Sequence, residues 1–289
     1  MKRALTLGVG LLALAGTSFA AQAADLRPIT KAPPPAPAPV ADWTGFYAGV
    51  GVGGRWTDTD WTTTCLLPTT APGCPANNAL FPTRFLVDNP SSFDMSGVRV
   101  SGYLGYNWQI STWVLGLEGD FGWADNKDNH IGIPGTHILG STALDTASVR
   151  DRWDASVRGR VGYLVTPQAL LYATGGAAWL DKETTATCPL ISAAPFAGGW
   201  CVAGPHAESF SKTMFGWTVG AGAEWKFWQN WILRAEYRYS DYTGDAQNIR
   251  FFAGTPVDTF DAHVRQTTHT AYLGVSYLFN WIPPVAAKY

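Results

Sequence analysis

The sequence predicts an all-β protein: an eight-stranded antiparallel up-and-down transmembrane β-barrel with short periplasmic turns and four long extracellular loops. Three observations carry that expectation. Eight segments alternate apolar and polar side chains with the period of two that marks a strand, at 43–55, 96–109, 113–124, 152–165, 169–180, 215–227, 231–240 and 270–280. Each is long enough for a tilted strand across a bilayer, which takes about 9–11 residues. The connections alternate between three residues (110–112, 166–168, 228–230) and long stretches, so that every long connection emerges at one end. Finally, one face of the alternation is uncharged throughout, although 15% of the chain is Asp, Glu, Lys or Arg.

The elements follow in chain order. Lys2 and Arg3, the apolar run from Ala4 to Ala15 and the small-residue site Ala21-Gln22-Ala23 have the order of a secretory signal peptide, expected to be cleaved after Ala23. The mature chain then carries 18 basic and 22 acidic side chains, a formal charge of −4. Residues 24–42 form a periplasmic leader with six prolines between Arg27 and Val40, a polyproline II spacer rather than a packed element. The barrel is expected over 43–280 and a C-terminal tail over 281–289.

The uncharged face runs through Phe46, Val50 and Val52; Val98, Val100 and Leu104; Leu115, Leu117 and Phe121; and onward to Leu273, Val275, Tyr277 and Phe279. A face without charge suits lipid, because Arg or Lys at mid-bilayer costs roughly 2–4 kcal/mol. Its aromatics collect at strand ends. Trp108, Trp113, Trp225, Phe227 and Trp231 mark the turn end, and Trp123, Trp153, Trp179 and Trp217 the loop end. Two such belts flanking an aliphatic band match the two membrane interfaces. The opposite face carries eight basic residues, Arg55, Arg99, Arg152, Arg158, Arg160, Lys226, Arg234 and Arg238. It also carries five acidic ones, Glu118, Asp120, Asp154, Glu224 and Glu236, among Gly, Ser, Thr and Tyr. In a barrel about wide enough for side chains to fill, these charges are expected to pair as a packed core. Water threading past the positive surplus would instead make a narrow, anion-favouring pore. Carboxylates such as Glu118 and Asp120 serve as acid and base in other folds, but facing arginines on a strand they read as ion-pair partners.

Other signals lead to no chemistry. GVGVGG at 49–54 satisfies the dinucleotide fingerprint literally, yet it lies inside an alternating strand with no helix to follow, so its glycines are expected to make room for Tyr47 and Tyr103. Cys65 and Cys74 sit in the first long loop and Cys188 and Cys201 in the third. Four cysteines allow three connectivities. In an oxidising compartment, pairing within each loop is expected, while spacings of nine and thirteen residues do not suit zinc. His130, His137, His206, His263 and His269 show no ligand spacing. Some small outer-membrane barrels are lipid-modifying enzymes that need a histidine-activated serine at the external rim. His269 lies near that rim without an evident serine, so no enzyme, metal or cofactor is expected. A pI near 6.2 offers no basic face for nucleic acid.

Several stretches resemble one family. ADLRPITKAPPPAPAPVADWTGFYAGVGVGG at 24–54, GYNWQ at 105–109, GLEGDF at 116–121, VRGRVGY at 157–163, LLYATGGAAW at 170–179 and EYRYSDY at 236–242 are similar to the alphaproteobacterial outer-membrane immunogenic proteins, a porin-like family of small barrels. YLGVSYLFN at 272–280 looks like the barrel-closing strand, with Tyr277 and Phe279, that the outer-membrane assembly machinery reads. The resemblance spans the mature chain. The cysteine-bearing loops are long for the family, and WIPPVAAKY follows the closing strand. It implies an eight-stranded barrel in the Gram-negative cell outer membrane, without an appended peptidoglycan-binding domain. Expected partners are outer-membrane lipids and lipopolysaccharide, the assembly machinery, and host or environmental ligands at the loops. The expected role is structural, in envelope integrity, with a narrow diffusion channel for small solutes as the alternative.

Overall fold

The computed structural model describes residues 42–66, 90–135, 145–188, 205–254 and 259–279, with only the backbone at 65 and 66. The expected signal peptide, the leader up to residue 41 and the tail lie outside these, as do Cys74, His137 and Cys201. So do the side chain of Cys65 and, with it, both expected cysteine pairings.

Among the described residues nine strands form one antiparallel sheet: β1 (Gly45–Leu66), β2 (Ser91–Ile110), β3 (Trp113–Ile131), β4 (Thr146–Thr166), β5 (Ala169–Cys188), β6 (His206–Trp228), β7 (Trp231–Asp241), β8 (Gln247–Phe251) and β9 (Phe260–Phe279). Strands β1 to β7 pair in sequence, and β9 closes the ring by pairing with β7 on one side and β1 on the other, from Phe46 opposite Phe279 upward. This is the expected ring of eight, with β8 as a short addition that pairs only with β9. The turns are one residue tighter than expected, two residues each. Ser111 and Gln229 take positive φ to close two of them.

The strands run well beyond the expected segments. A 20-residue strand such as β2 reaches about 66 Å at about 3.3 Å per residue, whereas a tilted strand crosses the hydrocarbon with about 9–11 residues. Roughly half of each long strand therefore projects past the loop-end aromatic belt, and the loop-end connections shrink accordingly, to 67–90, 132–145 and 189–205. The reason the sequence pattern stops at the belt is that the faces exchange character there. Below it, Val50, Val52, Leu104, Leu117 and Val157 point outward and are exposed while Arg55, Arg99 and Arg158 are buried inside. Above it, Asp58, Asp60, Asp94 and Lys127 point outward and Trp61, Phe93, Met95, Val149, Ala186, Phe260, Ala262 and Val264 are packed inside.

The ring also opens above the belt. The β2–β3 ladder ends at Val100 opposite Trp123, and the β6–β7 ladder at Trp217 opposite Asp241. The wall thus divides into two four-stranded sheets, β8-β9-β1-β2 and β3-β4-β5-β6. Their inner faces share one apolar cluster in the manner of a β-sandwich. Register shifts between Trp123 and Asn126 on β3 and between Asp151 and Asp154 on β4 mark the change. The β4 shift reverses which residues face inward, Asp154 on one side of it and Asp151 on the other, while alternation on β3 runs on unbroken.

Candidate functional site

The lumen below the belt is layered. At the turn end, Trp43, Val114, Leu164, Leu170, Ile232 and Leu278 cluster with Tyr47, Tyr103 and Tyr272. Trp43 lies at the centre of this plug. Its backbone N–H donates to Gln109 Oε1 at 2.8 Å, its indole N–H to the Pro167 carbonyl at 3.1 Å, and Lys226 Nζ sits 4.6 Å from its ring centroid while donating to the Asp42 carbonyl. Each of the three short turns is thereby tied to one residue.

Above the plug lie the charges, each 8% exposed or less. Period-two alternation puts Glu118 and Asp120 of β3, Asp154, Arg158 and Arg160 of β4, Glu224 of β6, and Arg234, Glu236 and Arg238 of β7 on the inner face, with Arg55 of β1 and Arg99 of β2. Register then places Glu118 opposite Arg158 and Glu224 opposite Arg234 on adjacent strands. Toward the turns, Arg234 Nη1 lies 2.6 Å from Glu118 and its Nη2 2.6 Å from Glu224, and Arg160 Nη2 lies 2.9 Å from Glu224. Toward the belt, Arg99 bridges Asp120 and Asp154, each at 2.6 Å. Arg238 bridges the same two at 2.7 and 3.3 Å, and Arg55 adds a contact to Asp154 at 3.1 Å. Arg158 joins the two groups, bound to Glu118 at 2.5 Å and to Glu236 across the lumen.

Neutral groups complete the network. Tyr47 donates to Glu118 and Tyr172 to Glu236, both at 2.7 Å. Arg160 lies over the Tyr172 ring and Arg234 over the Tyr103 ring, each 4.2 Å from the centroid. Tyr47 and Tyr103 lie on the glycine-rich face as expected, and Tyr172, a large side chain on the same face, carries the same sequence signal. A Cβ on Gly49 would lie 2.5 Å from the Tyr103 ring, so that glycine makes the room.

Two expected members stand apart. The β4 bulge turns Arg152 outward, where its Nε donates to Asp181 at 2.8 Å, and Lys226 belongs to the turn-end plug. The lumen therefore holds six arginines against five carboxylates rather than eight cations, and two of the six are capped by tyrosine rings.

A hydrogen-bonded layer separates this network from the sandwich. Lys182, fully buried, donates to Thr59 at 3.0 Å and to Gln266. The Gln266 amide in turn donates to Asp151 at 2.5 Å, and Thr184 donates to Gln247 at 2.9 Å. Burial pushes the Lys182 ammonium down to about 8 against the pull of Asp151, and raises the Asp151 carboxyl. On the outside, Tyr277 and Phe279 of the closing strand face outward with ring centroids 5.0 Å apart. His269 is outward too, 2.6 Å from the Tyr237 hydroxyl. No group of three or more His, Cys, Asp or Glu among the described residues could hold a metal ion.

Residues 9–279 match the outer membrane protein beta-barrel domain. The chain is 29% identical over 259 residues to the 31 kDa outer-membrane immunogenic protein of Brucella melitensis, covering 86% of this chain and 89% of that one. It is 26% identical over 271 residues to the 25 kDa outer-membrane immunogenic protein of Brucella canis, covering 91% and 96%. With the 22 kDa outer membrane protein of Rhizobium leguminosarum it shares 34% over 140 residues, about half of each chain. Among solved structures, the outer membrane protein OprG of Pseudomonas aeruginosa is similar at a TM-score of 0.42 and 9% identity, over 82% of this chain and 97% of that one. The chain belongs to the outer membrane protein beta-barrel family and resides in the outer membrane.

Proposed function

We propose that the protein is a structural, non-conducting and non-enzymatic barrel that contributes to envelope integrity and carries a rigid β-sandwich outside the bilayer. The observation that supports this best is the continuous Arg–carboxylate network, with an apolar plug beneath it and an apolar core above it. A water file would have to break several charge-assisted hydrogen bonds and leave buried charges unpaired, which costs about 3–5 kcal/mol for each pair broken. The outer face supports contact with lipid and lipopolysaccharide, and the exposed end of β9 supports recognition by the assembly machinery.

The competing reading is a narrow diffusion channel lined by Arg158, Arg160, Arg234 and Arg238. It is favoured only by the single positive charge left over in the network. Purified protein in a planar bilayer separates the two. The structural reading expects no steady single-channel steps, and steps that vanish when those arginines are reversed in charge would establish a channel. For hydrolytic chemistry, the nearest arrangement among the described residues is Ser91 Oγ at 3.3 Å from His130 Nδ1, with Asp128 3.6 Å from Nε2. These distances exceed the reach of about 2.6–3.2 Å expected of an activated nucleophile.

A further inference from the structure

Above the aromatic belt β6 is an edge of the wall among the described residues. Among the described residues, Ala207 to Gly216 of this strand have a ladder partner on one side only, β5, while β8, their neighbour across the seam, pairs solely with β9. Every described inward position at the same height on β5 and β9 is buried, including Lys182, Thr184, Phe260 and Val264. Phe210, also inward on β6, is 37% exposed. The seam is bridged by side chains instead of a ladder. Lys212 pairs with Asp245 at 2.6 Å, both about a third exposed, and Asp245 also accepts the Phe215 N–H at 3.0 Å. The Phe210 ring meets Phe251, 5.1 Å between centroids, and Glu208 accepts the Phe252 N–H at 2.6 Å.

Those contacts describe what the edge accepts. Asp245, Phe251 and Phe252 run antiparallel to β6 and set an acidic group against Lys212, an apolar one against Phe210 and a donor against Glu208. Because Phe215 directs its N–H to the seam, alternation directs those of Thr213, Ser211 and Ser209 there as well. We propose that this edge is a strand-addition site for an extended peptide of a partner protein, antiparallel to β6, with the pattern acidic-x-apolar-x-basic. The acidic residue takes Lys212 from Asp245, the apolar one packs on Phe210, the basic one meets Glu208, and main-chain bonds to Ser209, Ser211 and Thr213 supply the ladder. The other edges fit less well: β8 has only five residues, the inner side chains Phe93 and Met95 of edge strand β2 are already covered, and on edge strand β3 the His130 ring lies against Phe93, 4.2 Å between centroids. A second copy in the same membrane does not fit either. Its β6 runs in the same direction and tilts oppositely, so the two edges cross rather than pair.

The test uses the full chain refolded in phospholipid vesicles and a synthetic peptide with the core Glu-Thr-Phe-Thr-Lys. Saturating peptide is expected to slow amide hydrogen exchange at Ser209, Ser211 and Thr213 at least tenfold. Ser211→Pro removes a seam-facing donor and leaves the β5 ladder whole, and is expected to abolish that protection while keeping the heat-dependent gel shift of a folded barrel. Should that variant fail to fold, a peptide N-methylated on its pairing amides does the same job on the unaltered protein. Exchanging Glu208→Lys with Lys212→Glu is expected to transfer preference to the peptide with Lys and Glu swapped. Unchanged exchange along β6, equal protection by the N-methylated peptide, or binding indifferent to charge order would each overturn the proposal.

Discussion

Arg234 is shared between carboxylates, lying within 2.6 Å of both Glu118 and Glu224 and beneath the Tyr103 ring. Replacing it with Leu takes one cation from each of two buried carboxylates, leaving Glu118 to Arg158 and Tyr47 and Glu224 to Arg160, so Arg234→Leu is expected to lower barrel stability by about 3–5 kcal/mol, read from the urea midpoint in vesicles. Exposed pairs such as Arg150 with Asp125 carry no such cost, since water is ready to replace either partner. Lys182 behaves differently, because no carboxylate bonds it directly and Thr59 and Gln266 receive its protons. Its folded pKa, about 8, lies below the ordinary 10.5, so between those values the unfolded chain binds more protons than the folded one. Stability must then rise with pH across that window and fall as pH drops toward 8. Urea midpoints from pH 7.5 to 11 are expected to show the rise in the unaltered protein and to lose it in Lys182→Met. An identical slope in the variant would assign the effect to another group.

Among the elements, the turn end depends on a residue that precedes the first strand. Trp43 fills the plug and reaches Gln109, Pro167 and Lys226, one beside each short turn. Trp43→Ala is expected to cost about 3–5 kcal/mol, the usual range for deleting a buried aromatic. It should also speed amide exchange at all three turns together, whereas a merely local cavity would affect β1 alone. Trp43 opens the first alternating segment, and the alternation that turns Tyr47 and Arg55 inward turns it inward too, but nothing in the sequence ties it to the three turns. The same limit explains the other differences. Alternation finds a strand only while each face keeps its character, and at Trp56, Trp123 and Trp153 the faces exchange, so the projecting halves of seven strands read as loop. A bulge adds one residue and reverses the phase, which is how Arg152 leaves the lumen. Strand β8, with the five residues QNIRF, is too short for any period to register. The residues of the ion-pair network, by contrast, were legible, because thirteen charges on one face opposite an uncharged one leave few other arrangements, and eleven of them form the network. Which carboxylate meets which arginine depended on register and on reach across the lumen, neither of which composition encodes.

At the scale of the molecule, one continuous set of strands serves two solvents. Below the belt the barrel is stable because lipid surrounds an apolar exterior and the ladder closes on itself. Above it the sandwich is stable because water surrounds a polar exterior and Trp61, Phe93, Phe251 and Phe260 are removed from that water. Among the described residues the two halves meet along the strands, at the hydrogen-bonded layer of Lys182, Gln266 and Asp151, and where Arg55 donates to the Ala124 and Asp151 carbonyls. Their responses to solvent should therefore separate. Urea acts on surface exposed to water when a structure opens, and the sandwich opens into water while the barrel must first leave the bilayer. Unfolding in vesicles is expected to show two transitions, the sandwich first. Trp61→Ala should move the first to lower urea, by about 3–5 kcal/mol, and leave the second in place. Lipids of different chain length should do the reverse, shifting the second through hydrophobic mismatch without touching the first. A single transition that moves with both Trp61→Ala and chain length would mean that the strands carry stability across the belt as one cooperative unit, and that the change of faces divides the surface without dividing the fold.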